Sequence, residues 1–380
     1  MFRGKNGKLI RLSKSCLSSL EKKSVLNVLK KEYLGMGEEV DEFEKKLSLF
    51  FKRKSLCVVN GTAALQLALQ AINIKKGDEV LVQSLTYLSS FQAISATGAV
   101  PVACDVVLNS GTIDLLDAEK RITHKTKAIM PVHYAGSVGN LNEIYKFAKK
   151  FKLRVIEDAA HAFGSSYKKK LIGSQGDIVC FSFDGIKNIT SGEGGCIVTN
   201  DKKVIRSVMD TRLLGIQGDT SKRYRNKRTW IPNVKQQGWR YHMSNIMAAI
   251  GLAQLRRFKI LSNKRKILAK FYFNKLKENR KIHIFVKDHE NIVPHIFPIR
   301  IKNLKNRIKL INTLKKKKIE IGYHYFPNHK LNFYKKKNIN LKNTDKLFPE
   351  LLTLPMHPDI SKKEANYIAN TLLKNLPSFC

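Results

Sequence analysis

Seven short apolar runs recur through the first half of this chain, with helix-like stretches between them. They are Leu56–Asn60, Glu79–Gln83, Val100–Asp105, Ala128–Val132, Arg154–Glu157, Ile178–Ser182 and Cys196–Thr199. Strands alternating with helices cannot all pair as hairpins; they build a largely parallel sheet covered by helices on both faces. Open sheets of this kind bind ligands beyond the C-terminal ends of their strands. A chain of 380 residues is long enough for such a sheet and a further domain. After the long helix-like stretch Asn245–Asn263 the chain becomes Lys-rich. Strand-like Ile282–Phe285 and Ile296–Ile301 follow, and a last helix at Lys362–Lys374. The expected division is a large domain over residues 1–255 and a small α+β domain over 256–380.

One lysine stands out against this frame. The run Ile178–Phe181 leads into Ser182, Lys187 follows, and Gly192-Glu193-Gly194-Gly195 turns the chain into the next apolar run. Lysine is rarely buried without a partner or a task. A desolvated lysine loses its proton more readily and becomes a nucleophile suited to a Schiff base with an aldehyde cofactor. Equally, Lys187 reads as an ordinary loop lysine at a strand end.

Its neighbours in the predicted sheet bear on that choice. The run Arg154–Ile156 ends in Glu157-Asp158-Ala159-Ala160-His161. A pyridoxal ring needs a carboxylate opposite its nitrogen, and Asp158 stands at a strand end that opens on the same crevice as Lys187. Asp158 also reads as an N-cap of the Ala-rich segment after it. Asn60-Gly61-Thr62-Ala63 follows a strand and opens a helix, whose free N–H groups suit a phosphate. Tyr87, at the next strand-to-helix junction, is placed either to stack on a flat ring or to pack on the core.

Taken in order, these motifs resemble the DegT/DnrJ/EryC1/StrS family of pyridoxal-phosphate nucleotide-sugar aminotransferases. The resemblance spans nearly the whole chain. It begins at Tyr33-Leu34-Gly35-Met36-Gly37 and Val40-Asp41-Glu42-Phe43-Glu44, and passes through the three segments above. It continues in Gly238-Trp239-Arg240-Tyr241-His242-Met243-Ser244 and Ala248-Ala249-Ile250-Gly251, and ends in Gly322-Tyr323-His324-Tyr325 and Leu354-Pro355-Met356-His357-Pro358. It implies the type I fold of pyridoxal-phosphate-dependent transferases. That fold has a seven-stranded mixed sheet covered by helices and a smaller α+β C-terminal domain.

The resemblance also implies roles. Lys187 matches the lysine that binds pyridoxal 5'-phosphate and later moves the substrate proton. Asp158 matches the partner of the ring nitrogen, and His161 the residue beside the phenolic oxygen. Tyr87 matches the stacking aromatic; Ser182, Gly61, Thr62 and Ala63 match the phosphate cup. His324, Tyr325 and His329 fall in a segment that lines the sugar site in relatives, and read alternatively as a His-rich turn packed on the large domain. Arg240 stands where many relatives carry an asparagine that reaches the phosphate of the neighbouring subunit, a place a guanidinium also suits. Asp184-Gly185-Ile186 departs from the usual small-Thr ending before the lysine.

The implied reaction moves the amino group of L-glutamate to a nucleotide-diphospho keto-sugar in a homodimer with shared active sites, for O-antigen or another surface polysaccharide. The Asp158-Ala159-Ala160-His161-Ala162 form resembles members that act on a 4-keto-6-deoxy sugar to give a 4-amino sugar; glutamine often replaces His161 in 3-keto-sugar enzymes. Pyridoxamine-dependent sugar dehydratases share the fold, but one branch lacks the lysine and the other clusters cysteines for an iron–sulfur centre. From a different class, the chain reads as a basic, non-catalytic nucleic-acid-binding or regulatory protein. The intact set of Asp158, Lys187 and Ser182 argues against that.

Charge and cysteines complete the reading. Seventy Lys and Arg against 30 Asp and Glu give +40, which invites an anionic partner. The lysines are spread over Lys45–Lys54, Lys259–Lys281, Lys302–Lys318 and Lys330–Lys346 among other runs, with no zinc finger, helix-turn-helix or stacking platform. A solvated basic surface that steers a nucleotide diphosphate is expected, and no nucleic acid. Cys16, Cys57, Cys104, Cys180, Cys196 and Cys380 show no metal or disulfide spacing, and Cys57, Cys104, Cys180 and Cys196 fall in predicted strands. No metal is expected. No apolar segment follows Met1–Leu12 and no run approaches a membrane span, so a cytoplasmic protein is expected.

Overall fold

The computed structural model describes residues 9–225, 227–336 and 339–379. Cys380 and the start of Met1–Leu12 lie outside that set. Seven strands form the main sheet: β1 (Ser55–Val58), β2 (Glu79–Gln83), β3 (Val100–Cys104), β4 (Thr126–Met130), β5 (Arg154–Asp158), β6 (Ile178–Ser182) and β7 (Gly195–Thr199). Their order across the sheet is β1-β7-β6-β5-β4-β2-β3. β7 runs antiparallel to both of its neighbours, while β6, β5, β4, β2 and β3 pair in parallel.

Side chains alternate across the sheet as the two-residue period of a strand requires. Val80, Val82, Ile156, Ile178 and Cys180 pack in the cluster on one face, and Leu81, Val155, Val179 and Phe181 in clusters on the other. Both faces are covered. The helix Gly61–Ala71 is buried at every position from Ala63 to Leu69. The helix Leu141–Lys150 buries Ile144, Phe147 and Ala148, and Lys202–Thr211 buries Val204, Val208 and Thr211, the stripes expected of amphipathic helices.

A 32-residue helix, Asn245–Leu276, leaves the large sheet, capped by Ser244 accepting from Met247 N–H. It runs well past the expected end at Asn263, so the boundary drawn at 255/256 falls inside one continuous helix. Its last turns, with Leu268, Tyr272 and Leu276, enter the core of the C-terminal part. That part holds an antiparallel sheet of Ile282–Ile284, Phe297–Ile301 and Leu351–Leu354, with the helices Arg307–Lys316 and Lys362–Asn375. The N-terminal segment belongs to it as well. Ile10 donates to Lys318 O (2.9 Å) and accepts from Glu320 N–H (3.0 Å), and its side chain joins the same core. Leu85, Val106 and Tyr134 from the C-terminal ends of the large sheet's strands also join that core. The C-terminal part is thereby held against the crevice mouth.

Among the described residues no helix is long and apolar enough to cross a membrane. Cys57, Cys104, Cys180 and Cys196 are buried thiols, and the described cysteines are free.

Candidate active site

A cavity of about 490 Å³ opens at the C-terminal ends of the parallel strands. The large sheet supplies Asn60, Gly61, Thr62, Tyr87, Asp158, His161, Ser182, Asp184 and Lys187 to its wall; the C-terminal part supplies His295, His324 and Tyr325.

Asp158 ends β5. Its backbone N–H reaches Pro131 O (2.9 Å) and its C=O accepts from His133 N–H (3.0 Å), so the strand end is fixed. One carboxylate oxygen accepts from Ser90 Oγ (2.7 Å) and the other from Ala160 N–H (3.2 Å). Turns rather than a helix follow Asp158, so it closes a local turn and caps no helix.

Lys187 sits beyond the end of β6, the strand beside β5. The loop before it is shaped by Asp184, whose carboxylate accepts from Ile186 N–H (3.2 Å) and whose C=O accepts from Lys187 N–H (3.0 Å). The Lys187 amine lies 3.4 Å from His295 Nε2. Loss of water pushes the amine down to about 8; Asp158 and Asp184 oppose that shift, and Arg265 adds to it. At neutral pH the site therefore holds a much larger share of free amine than an exposed lysine does.

The phosphate end is set by a close approach. Asn60 caps the helix Gly61–Ala71 by accepting from Ala63 N–H (2.8 Å). A Cβ on Gly61 would come within 2.9 Å of Ser182 Cβ, so glycine lets the helix start lie against the strand end. Gly61 and Thr62 line the cavity; Ala63 does not, and its N–H donates to the Asn60 cap.

The histidines divide into two groups. His161 meets Tyr325 OH through Nε2 (2.8 Å), while its buried Nδ1 has no partner. His324 Nδ1 meets Thr353 Oγ1 (2.9 Å). Burial, with help from the Lys187 charge, pushes His161 well down and His324 to about 4. The predicted contributor His329 lies outside this wall: its Nδ1 meets Ser84 Oγ (2.7 Å) and its Nε2 stands 3.3 Å from Asp345. For His329, packing of the turn on the large domain is what the structure shows. Tyr87 is 61% exposed at the rim, its ring 5.6 Å from that of Tyr325. Arg240 is exposed and does not line the cavity of its own chain.

These depressed histidines have a measurable consequence. Below pH 6.5, the ordinary histidine value, the unfolded chain takes up protons that the folded site resists. Stability of the cofactor-free protein should therefore fall as pH drops from 6.5 toward 4. Thermal unfolding across that range checks it; a flat melting temperature contradicts neutral histidines in the site.

Sequence reasoning missed Ser90, His295 and Arg265. Arg265 is 1% exposed, and its five acceptors are all backbone carbonyls: Pro294, His295, Met356, Ile186 and Lys187. It thus ties the Lys187 loop to the C-terminal part. Burial without a carboxylate partner pushes its guanidinium down to about 10. Arg265→Met should cost about 3 kcal/mol or more in urea unfolding, because several buried acceptors lose their donor. A change below 1 kcal/mol, on the order of a surface substitution, would contradict that role.

A lysine and an aspartate at adjacent strand ends of a doubly covered sheet, with a helix N-terminus beside them, define a type I pyridoxal-phosphate-dependent transferase. The profile of the DegT/DnrJ/EryC1/StrS aminotransferase family matches residues 15–373, and the chain belongs to that family. It is 35% identical over 370 residues to the GDP-perosamine synthase of Escherichia coli O157:H7, covering 96% of this chain and 98% of that one. It is 33% identical over 362 residues to the UDP-4-amino-4,6-dideoxy-N-acetyl-beta-L-altrosamine transaminase of Campylobacter jejuni (93% and 94% covered). Among solved structures it resembles Helicobacter pylori PseC, an aminotransferase involved in the biosynthesis of pseudoaminic acid. The TM-score is 0.89 at 28% identity, over 98% of this chain and 100% of that one.

The site fits pyridoxal phosphate. Gly61 leaves room beside Ser182 and the helix start, the buried His161 Nδ1 lacks a partner, and Lys187 and Asp158 face one cavity.

Proposed function

We propose that this protein transfers the amino group of L-glutamate to a nucleotide-linked 4-keto-6-deoxy sugar, giving a 4-amino sugar for O-antigen or another surface polysaccharide. That it is an aminotransferase of nucleotide-linked sugars follows from its family. The meeting of Lys187 and Asp158 at neighbouring strand ends carries the reading. His161 in its Asp-Ala-Ala-His-Ala setting supports the 4-position, as does the 4-amino-4,6-dideoxy sugar in the name of the C. jejuni relative.

When bound, pyridoxal phosphate supplies an electron sink for the carbanion left at the substrate carbon. The chain's own groups do the rest. The Gly61 and Thr62 N–H groups and the Ser182 hydroxyl would bind the phosphate. Asp158, oriented by Ser90, would face the ring nitrogen and supply the carboxylate that keeps it protonated. Tyr87 at the cavity rim would stack on the ring, and neutral His161, bonded to Tyr325, would stand beside the phenolic oxygen. The Lys187 amine takes a proton from the donor's α-carbon and, in the second half-reaction, gives one to the sugar's keto carbon. A homodimer would complete the site, with exposed Arg240 of one protomer reaching toward the phosphate end of its partner's cavity.

The test is the visible spectrum of the purified protein before and after L-glutamate, with no sugar present. A visible band that bleaches with glutamate and returns with a nucleotide-linked 4-keto sugar supports the reading. No band after added pyridoxal phosphate would sink it.

A further inference from the structure

The amine of Lys187 meets one side chain within hydrogen-bond distance among the described residues, and it is not a carboxylate. It is His295, at 3.4 Å. His295 is 3% exposed, its ring lies 4.5 Å from that of His161, and its Nδ1 has no partner. Its ring therefore stabilises the local fold through no hydrogen bond of its own other than the one to Lys187.

The backbone that carries it is fixed on several sides. Ser165 Oγ accepts from Val293 N–H (3.0 Å), and Asn188 Nδ2 donates to Val293 O (3.0 Å). Arg265 donates to His295 O (3.1 Å) and also to Lys187 O (3.3 Å). One guanidinium thus fixes both of the backbones that bring the two nitrogens together.

We propose that His295 is a positioning residue: its Nε2 holds the free Lys187 amine at the place from which it exchanges a proton with the substrate carbon. This rests on the reading of Lys187 as the reacting amine. With its proton on Nδ1, a neutral His295 accepts through Nε2. A lysine amine has N–H groups to donate whether charged or neutral. The contact therefore survives both halves of the proton transfer, and the lone pair freed on deprotonation is directed away from His295. The ring remains neutral because it is buried and faces the charge of Lys187. The other ionisable groups about the amine are Asp158, Asp184, Glu193, Arg265, His161 and His324. His161 bonds Tyr325 and His324 bonds Thr353 rather than the amine, and the Arg265 guanidinium is a donor only, so none of those three accepts from Lys187.

The test compares His295→Leu, which fills the space without an acceptor, with His295→Gln, whose amide oxygen restores one near Nε2. In the holoenzyme, the L-glutamate half-reaction is followed in a single turnover with ordinary and α-deuterated donor. His295→Leu should slow it at least tenfold, leave the glutamate KM within about twofold and enlarge the deuterium effect; His295→Gln should recover most of the rate. In cofactor-free protein, reductive methylation of Lys187 is read by mass spectrometry against pH. The midpoint should move down by about half a unit or more in His295→Leu, since the charged amine loses its acceptor, and hold in His295→Gln.

A midpoint that stays or rises, or a half-reaction within twofold of the parent, overturns the proposal. If His295→Leu does not fold, His295→Asn carries the same test, because its amide is too short to reach the amine. Cofactor must protect Lys187 from methylation in the parent protein. Loss of that protection overturns the assignment of Lys187 and this proposal together; protection with an unmoved midpoint overturns this proposal alone.

Discussion

Lys187→Ala should bind pyridoxal phosphate without the visible band of the parent protein and lose at least ~10⁴-fold in turnover. Two effects combine in that loss. The amine that anchors the cofactor and moves the proton is gone, and among the described residues no other lysine lines the cavity. With burial pushing the amine down to about 8, its free-base fraction at neutral pH is greater than that of an exposed lysine by on the order of 10² or more. An external buffer amine offers neither the placement nor the dry surroundings. Lys187→Arg separates charge from chemistry: it keeps a cation near Asp158 and Asp184 but cannot lose its proton, so it should be as inactive as the alanine variant. Steady-state turnover with L-glutamate and a keto-sugar, read beside the absorption spectrum, checks both. Turnover by either variant within tenfold of the parent would remove Lys187 from the chemistry.

Asp158→Asn should cost on the order of 10²–10³ in kcat with little change in stability. The amide oxygen can still accept from Ser90 or from Ala160 N–H, so the turn at the end of β5 persists. Only the charge opposite the ring nitrogen disappears. The substitution has a second sign that can be read independently. Asp158 raises the Lys187 amine, so its loss should bring the methylation midpoint of Lys187 below about 8. A variant with normal kcat, or one whose midpoint rises, would show that Asp158 does not face the cofactor ring.

How much of this was legible beforehand followed the range of the interactions. Each strand of the main sheet declares itself through an apolar run of its own. Asp158 and Ser182 stand at the ends of such runs and Lys187 in the loop just beyond one, so sequence places them in one crevice. Arg265 was opaque because it lies in a helix surrounded by Lys264 and Lys266, and only tertiary contacts bury it. His295 precedes an ordinary apolar strand, and nothing local distinguishes it from a core histidine. Ala63 and His329 were placed by motif, yet the Asn60 cap and the Ser84 and Asp345 contacts had already engaged them. The helix from Asn245 outran its expected end because its Lys-rich later turns carry Leu268, Tyr272 and Leu276 inward, a stripe that shows only once the C-terminal core is present.

The bond between Ile10 and the strand-like segment near Ile319 bears on how the molecule assembles. Leu12 N–H donates to Glu320 across 308 positions of sequence (2.8 Å), and Leu12 O accepts from Met356 N–H (2.9 Å). A ribosome releases the first partner of these contacts long before the second exists. The large sheet has every one of its strands available by residue 199 and can condense during synthesis. The N-terminal segment must wait, and its late docking is a non-local closure with a corresponding entropic cost. Once made, that closure ties residues 10–12 and the C-terminal part into one unit. A single proteolytic nick near residue 12 would then loosen the packing of residues more than three hundred positions away, with the central sheet left intact.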